Sequence, residues 1–231
     1  MADELLRRAA AHVVVADLHA PEPDDDDRHH LVRVLRLRPG EPVTVTDGAG
    51  SWRPCEFGDP GATGPLLRPT GPVVAEPAPA AELAVGFAPV KGDRPEWVVQ
   101  KLTELGVDRI VVLRAGRSVV RWDGERGVRH LERLERVARG AISQCRRVRL
   151  PRIEVASPAE LLAGGAVLAE PGGRDLNAAD RCVLVGPEGG WTPEELAAAG
   201  ADQLVTLGGA VLRAETAAVA AGVRLGALHG R

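Results

Sequence analysis

A mostly parallel α/β sheet with helices on both faces, preceded by a small β domain, is the fold that three observations predict. From Leu83 onward, apolar strand-like runs alternate with segments of helical periodicity, the pattern of a parallel sheet. Before residue 75, short runs of alternating apolar residues are separated by turn residues, as in a small β-barrel or sheet. Between the two patterns lies Ala75-Glu76-Pro77-Ala78-Pro79-Ala80-Ala81, a proline/alanine spacer. The expected division is a β domain over 1–75, a linker over 76–81 and an α/β domain over 82–231.

Each element has its own signal. Val13-Val14-Val15 is a strand candidate, and Asp24 to Asp27 precede His29 to Leu37, whose apolar positions suit a short helix with acids at its N-terminus. Arg38-Pro39-Gly40-Glu41 is a turn, Val43 to Asp47 alternates like a half-buried strand, and Asp47-Gly48-Ala49-Gly50 supplies hairpin chemistry before Trp52 to Phe57 returns. In the second domain Leu83 to Ala88 is a strand, and Asp93 or Arg94 with Pro95 opens a helix that stops at Gly106. Asp108 to Leu113 is the next strand, and Glu132 to Arg147 is helical with arginines on its polar face. Arg152 to Val155, a helix at Pro158 to Ala163, and Ala166 to Ala169 follow. The Val183 strand, the Thr192 helix, the Gln203 to Leu207 strand and a last helix from Ala214 to Leu228 complete the alternation.

Composition narrows the function classes. The chain has 231 residues, 45% of them hydrophobic, which is ordinary for a globular protein, and a net charge of -3. Acids crowd between Asp24 and Asp27 and arginines between Arg114 and Arg152, so a local basic surface is available for nucleic acid. Lys91 and Lys101 are the only lysines; the arginine bias suits phosphate and base contacts, and a GC-rich genome produces the same bias. Cys55, Cys145 and Cys182 lack disulfide or zinc spacing, which fits a reducing cytoplasm. His29 and His30 have no third ligand in register, so no metal is expected, and they read as solvated or RNA-facing. The apolar run Ala9 to Ala16 is too short to span a bilayer, so no membrane association is expected either.

Two glycine-broken turns carry the chemistry. Val185-Gly186-Pro187-Glu188-Gly189-Gly190 follows a strand and precedes Thr192-Pro193-Glu194-Glu195, a capping box with proline at the first helical position. Leu207-Gly208-Gly209-Ala210-Val211-Leu212 follows about one helix later. Both stand where strands end in an open α/β sheet, the place where ligands bind and where glycine lets backbone approach them. The spacing is not GxGxxG, Glu188 would set a carboxylate beside a pyrophosphate, and no GxxxxGK[ST] occurs, so dinucleotide and P-loop readings fit poorly. Two tight connections without a ligand remain the structural alternative.

Five ordered blocks carry a resemblance. They are His29 to Arg36; Lys91-Gly92-Asp93-Arg94 with Gln100-Lys101 and Glu104 to Val107; Gln144-Cys145 with Arg147; Gly186 to Gly190; and Leu212-Arg213 with Glu215-Thr216. Over essentially the whole chain the sequence resembles the bacterial 16S ribosomal RNA uridine-N3 methyltransferases, the RsmE family of SPOUT methyltransferases. The resemblance implies a PUA-like RNA-binding β-barrel, then a parallel-sheet methyltransferase domain closed by a deep trefoil knot, which connection rules alone would argue against. It further implies a cytoplasmic homodimer, S-adenosyl-L-methionine as cofactor, and 16S rRNA in the small ribosomal subunit as substrate.

On that resemblance, Val185, Gly186, Pro187, Glu188, Gly189, Gly190, Leu207, Gly208, Gly209, Val211 and Leu212 are expected to bind the cofactor, chiefly through backbone groups. Arg213 is expected to stabilise a uridine anion or another anionic group, and Glu215 to accept a proton or orient the base; a structural salt bridge between the two is the alternative. His29, Arg33, Arg36, Lys91, Arg94, Gln144 and Arg147 are the expected RNA contacts, with a solvated helix face as the alternative for Arg147. The chain departs from the family pattern at Ser143, Arg146, Gly209, Ala210 and Ala214, where glutamate, glycine, proline, arginine and threonine are usual. These departures leave open an RNA-binding assembly factor without turnover, or a related enzyme modifying another RNA position.

Overall fold

The computed structural model describes residues 2–90, 92–120, 122 and 124–231. The chain forms two compact units, Met1–Pro79 with Arg139–Leu150, and Ala80–Ala138 with Pro151–Arg231. The break at Pro79 falls inside the proline/alanine spacer. Assignment of Arg139–Leu150 to the first unit is a difference from the sequence expectation, and its cause is a set of specific bonds described below.

The first unit opens with α1 (Ala2–Arg8) and holds a five-stranded sheet of β1 (Ala11–Val14), β2 (Pro42–Thr46), β3 (Ser51–Phe57), β4 (Leu67–Pro69) and β5 (Val74–Ala75). β1 runs parallel to β2, and β3 pairs antiparallel with β2, β4 and β5. The hairpin between β2 and β3 closes on Asp47, whose Oδ1 accepts from the amides of Ala49, Gly50 and Ser51 at 2.7, 3.1 and 3.0 Å. Inward residues of these strands, including Val13, Val45 and Phe57, surround Leu31 in one core.

Asp24 caps α2 (Asp25–His29), accepting from the Asp27 amide at 2.8 Å. The regular helix expected over His29 to Leu37 is not formed. A π-turn over His30–Val34 replaces it, with the Leu35 amide bonded to the His30 carbonyl at 2.9 Å. The wider turn buries Leu31 against the core, with Val32 and Leu37 packed beside it and Val34 and Leu35 left exposed. A local packing demand has overridden helical periodicity.

The end of α4 (Gly124–Cys145) and the residues after it belong to this unit. Buried His12 fixes them: its Nε2 donates to the Arg147 carbonyl at 3.0 Å and its Nδ1 accepts from the Thr44 hydroxyl at 2.8 Å. Burial, with the nearby Arg146 charge, pushes the His12 pKa down to about 4, so the ring is neutral at pH 7. Arg139 donates to the Val14 carbonyl at 2.6 Å, and the Leu150 amide donates to Gly48 at 2.8 Å.

The second unit is a six-stranded, all-parallel sheet. Its strands are β6 (Ala84–Phe87), β7 (Arg109–Leu113), β8 (Arg152–Ala156), β9 (Val167–Asp175), β10 (Cys182–Val185) and β11 (Leu204–Thr206), in the order β11-β9-β10-β6-β7-β8. α3 (Arg94–Glu104) and α7 (Ala214–Leu228) pack together, with α7 on β6 and β10, while α5 (Pro158–Ala163) and α6 (Pro193–Ala199) pack together, with α6 on β9. Both sheet faces are thereby covered, which is why β6 and β7 are apolar almost throughout. Small residues let α7 approach: a β-carbon at Gly222 would lie 2.8 Å from Leu102.

Two expected boundaries are corrected. Helix α4 starts at Gly124 rather than Glu132, with Arg129 reaching back to Glu125 at 3.8 Å. Strand β9 continues past Ala169 to Asp175, although Pro171-Gly172-Gly173 reads as a strand breaker. A register shift in its pairing with β11 absorbs the irregular residues, and Gly173 is required there, since a β-carbon would meet the Val205 nitrogen at 2.5 Å.

Strand order runs outward from β6 through β7 to β8, then resumes on the other side with β10, β9 and β11. Connections therefore diverge between β6 and β10. In such sheets the crevice beyond the carboxyl ends near that reversal is the ligand position.

Candidate cofactor cleft and active site

The first turn is built from beneath. Trp191 is 3% exposed and lies under Gly186, where a β-carbon would come within 3.0 Å of the indole, so glycine is needed for this close approach. The indole Nε1 donates to the Ala169 carbonyl at 3.0 Å, tying the turn to β9. Gly190, with φ of 69°, donates its amide to the Pro187 carbonyl at 2.8 Å. Helix α6 then starts on the capping box: the Glu195 amide donates to Thr192 Oγ1 at 3.2 Å, and the Thr192 amide to Glu195 Oε2 at 2.8 Å. The loop after β7 braces the outside, with the Gly116 amide on Glu195 Oε1 at 2.9 Å and Arg117 on the Gly189 carbonyl at 3.0 Å.

The second turn is open. Thr206 Oγ1 accepts from the Gly208 amide at 3.3 Å, after which Gly208, Gly209 and Ala210 are exposed and Val211 is 88% exposed. Arg213 is the N-cap residue of α7 without a side-chain cap bond, and its carbonyl accepts from the Ala217 amide at 2.8 Å.

Between the turns lies a cleft of about 450 Å³, within the range of about 300–1,000 Å³ usual for small-molecule sites. Val185, Gly186, Pro187, Glu188 and Gly190 of the first turn and Leu207, Gly208, Val211 and Leu212 of the second line it, with Arg213. Two expected residues do not line it. The Gly189 carbonyl is taken by Arg117, and Gly209 faces an adjoining hollow formed with Gly172 and Gly173. Sequence reasoning missed the β9 wall, which adds Ala169, Glu170 and Pro171. Because β9 was expected to stop at Ala169, nothing in the sequence pattern placed these residues beside the turns.

Glu215 does not pair with Arg213. Its Oε1 faces Arg94 Nη1 at 3.6 Å, joining the first turn of α7 to the first turn of α3. Its Oε2 is buried with no hydrogen-bond partner. A buried carboxylate oxygen without a donor is costly, and a ligand group donating a hydrogen bond would satisfy it. The structure thus brings together Arg94, expected at the RNA, and Glu215, expected at the chemistry.

The other expected RNA contacts are in the first unit. His29, Arg33, Arg36 and Gln144 are exposed there, and Arg147 is half-buried with its carbonyl held by His12. Lys91 lies outside the described residues. Among the family departures, Arg146 adopts φ of 64°, a region that favours glycine, and its Nη2 donates to the Ala9 carbonyl at 2.9 Å. Ser143 donates to the Arg139 carbonyl at 3.2 Å, and Ala214 is buried at the start of α7. Among the described residues no group of three or more His, Cys, Asp or Glu is placed to hold a metal, and no helix is long and apolar enough to cross a membrane.

Comparison with known proteins gives a consistent result. The RNA methyltransferase domain family matches residues 76–225, and the RNA methyltransferase PUA domain family matches residues 23–68. The Ribosomal RNA small subunit methyltransferase E of Mycobacterium bovis is 36% identical over 232 aligned residues, covering 90% of this chain and 86% of that protein. A probable rRNA-methyltransferase of Porphyromonas gingivalis, solved by crystallography, superposes with a TM-score of 0.78 at 27% identity, over 95% of this chain and 98% of that one. The Neisseria gonorrhoeae Ribosomal RNA small subunit methyltransferase E bound to S-adenosyl methionine has a TM-score of 0.79 at 24% identity, over 94% and 97% of the two chains, and supports the fold. The second unit is accordingly a SPOUT-type methyltransferase domain and the first contains a PUA-like domain. With two domain families in the same order and a relative this similar over nine-tenths of this chain, the chain belongs to the ribosomal RNA small subunit methyltransferase E family.

Proposed function

We propose that this protein methylates N3 of a uridine in 16S rRNA, using S-adenosyl-L-methionine bound between the two glycine turns. One observation carries the reading: the cleft opens beyond the carboxyl ends of β10 and β11, beside the Ala169–Pro171 stretch of β9, with Arg213 on its wall, and Glu215 follows two residues later with an unpartnered buried oxygen. The names of the relatives support the RNA substrate, and the cofactor in the Neisseria structure supports the choice of cofactor.

The residues present fit such a cofactor. The cleft has the required size, and backbone at Val185 to Glu188 and at Leu207, Gly208, Val211 and Leu212 lines it with donors and acceptors. When bound, the cofactor supplies an activated methyl group on a sulfur that departs readily. The chain's task is to align donor and acceptor and to manage charge. Uridine N3 lies on the Watson–Crick edge, so the base must be unstacked to react. In this account Glu215 Oε2 accepts the N3 proton, Arg94 holds Glu215 through Oε1, and Arg213 stabilises the anion that forms.

The proposal extends to RNA contacts at His29, Arg33, Arg36, Lys91, Arg94, Gln144 and Arg147, with 1–75 as the RNA-binding domain and 82–231 as the catalytic one. It includes a knotted C-terminal segment, a homodimer and a cytoplasmic location. The test is transfer of labelled methyl to small subunits lacking the modification, with the product mapped by mass spectrometry. Label at one uridine N3 is the expected result. RNA binding without transfer would make the protein an assembly factor, and label on a ribose oxygen would make it a different enzyme. Arg213→Ala and Glu215→Ala should each lower kcat roughly a hundredfold or more while changing cofactor affinity little.

A further inference from the structure

Among the described residues, two carboxylates in the cleft have no cation paired with them. Glu170 lies on the β9 wall and Glu188 in the first turn, and both line the cleft. Neither side chain makes a hydrogen bond or ion pair among the described residues. Three acids near the cleft are committed: Glu195 closes the α6 capping box and holds Gly116, Asp180 is held by Arg174 at 2.7 Å, and Glu215 faces Arg94. Arg213 is the third charged side chain of the cleft lining, so two negative charges and one positive leave it with one net negative charge. Apart from the Thr206 hydroxyl, which is bonded to Gly208, the rest of the lining is apolar side chain and backbone, where charge is screened less than in bulk water.

That balance disfavours an anionic ligand and favours a cationic one. It also distinguishes the two forms of the proposed cofactor. Before transfer the sulfur is a sulfonium, and its charge with the ammonium outweighs the carboxylate to give a net positive ligand. On transfer the S–CH3 bond breaks with its electron pair left on sulfur, the N3–CH3 bond forms, and the N3 proton goes to the base. The product, S-adenosylhomocysteine, is a thioether of zero net charge.

We propose that Glu170 and Glu188 make the cleft charge-selective, holding the sulfonium form and releasing the neutral product once that attraction is gone. This rests on the cofactor reading above. Glu170 is half-buried and Glu188 exposed, so Glu170 carries the larger share of the discrimination. The assignment gives a β9 residue, outside both glycine turns, a part in turnover through product release.

Calorimetric titration of the full chain with S-adenosylmethionine and S-adenosylhomocysteine tests this without any methyl transfer. The wild type should prefer the sulfonium by roughly tenfold, and that ratio should shrink as salt is added. Glu170→Gln, which keeps shape and removes charge, should weaken the sulfonium several-fold and leave the thioether within about twofold, with a smaller effect from Glu188→Gln. An analogue bearing a protonated amine in place of the sulfonium should follow the sulfonium in every variant. Equal weakening of both ligands, or an unchanged ratio in Glu170→Gln and in the wild type at high salt, would overturn charge selection and leave the cofactor reading standing. If the wild type bound neither ligand, the cofactor reading would fail and this inference with it.

Discussion

The two turns that frame the cleft differ in how much of their shape the protein itself supplies. At Gly186 to Gly190 a buried indole, a capping box and two bonds from the loop after β7 hold the backbone in place. At Gly208 to Val211 almost nothing does: a β-carbon on Gly208 or Gly209 would meet no atom within 4 Å, and Val211 projects into solvent. The comparison teaches where the chain can vary. The departures at Gly209 and Ala210 stand in the open, exposed turn, while in the first turn Gly186 is confined against the Trp191 indole. On the proposed cofactor reading, the first wall is held by the protein itself and the second is completed by the ligand.

That contrast can be broken by substitution. Trp191→Ala should have the largest effect, costing about 3–5 kcal/mol in denaturant unfolding, because it empties a core site and frees the Ala169 carbonyl. A loss below about 1 kcal/mol would show that the first turn does not rest on it. Gly186→Ala should cost about 1–3 kcal/mol by forcing a β-carbon against the indole, and should weaken cofactor binding as well. Thr192→Ala, which removes the α6 cap, should cost about 1 kcal/mol. In the open turn Gly209→Ala should stay within about 0.5 kcal/mol of wild type in the same unfolding measurement. An equal cost at Gly186 and Gly209 would erase the distinction.

How much of this was legible in the sequence depended on whether the signal was local. Thr192-Pro193-Glu194-Glu195 forms the capping box it spells, and Pro95 and Gly106 bracket α3 because proline presets the first turn and glycine takes φ of 84° after the last. The glycine turns stand at strand ends as their spacing requires. Non-local packing was not legible. Leu31 reshapes a helical run into a π-turn, and the bulge beside Gly173 carries β9 through residues that locally break strands. The Arg94–Glu215 pair joins residues 121 positions apart (215 − 94), and Glu170 reaches the cleft only because β9 lies between β10 and β11. Arg146 shows the limit from the other side: its left-handed backbone explains why glycine is usual there, and this chain meets the demand with an arginine anchored on Ala9.

The central claim, that the cofactor lies between these turns and completes the second, is tested most directly by amide hydrogen exchange with and without S-adenosylmethionine. Exchange at Gly208 to Leu212 should slow by about tenfold or more when the cofactor is added, while the amide of Gly190, already bonded to Pro187, should change little. Protection appearing outside the two turns and the β9 wall, with both turns unchanged, would contradict it.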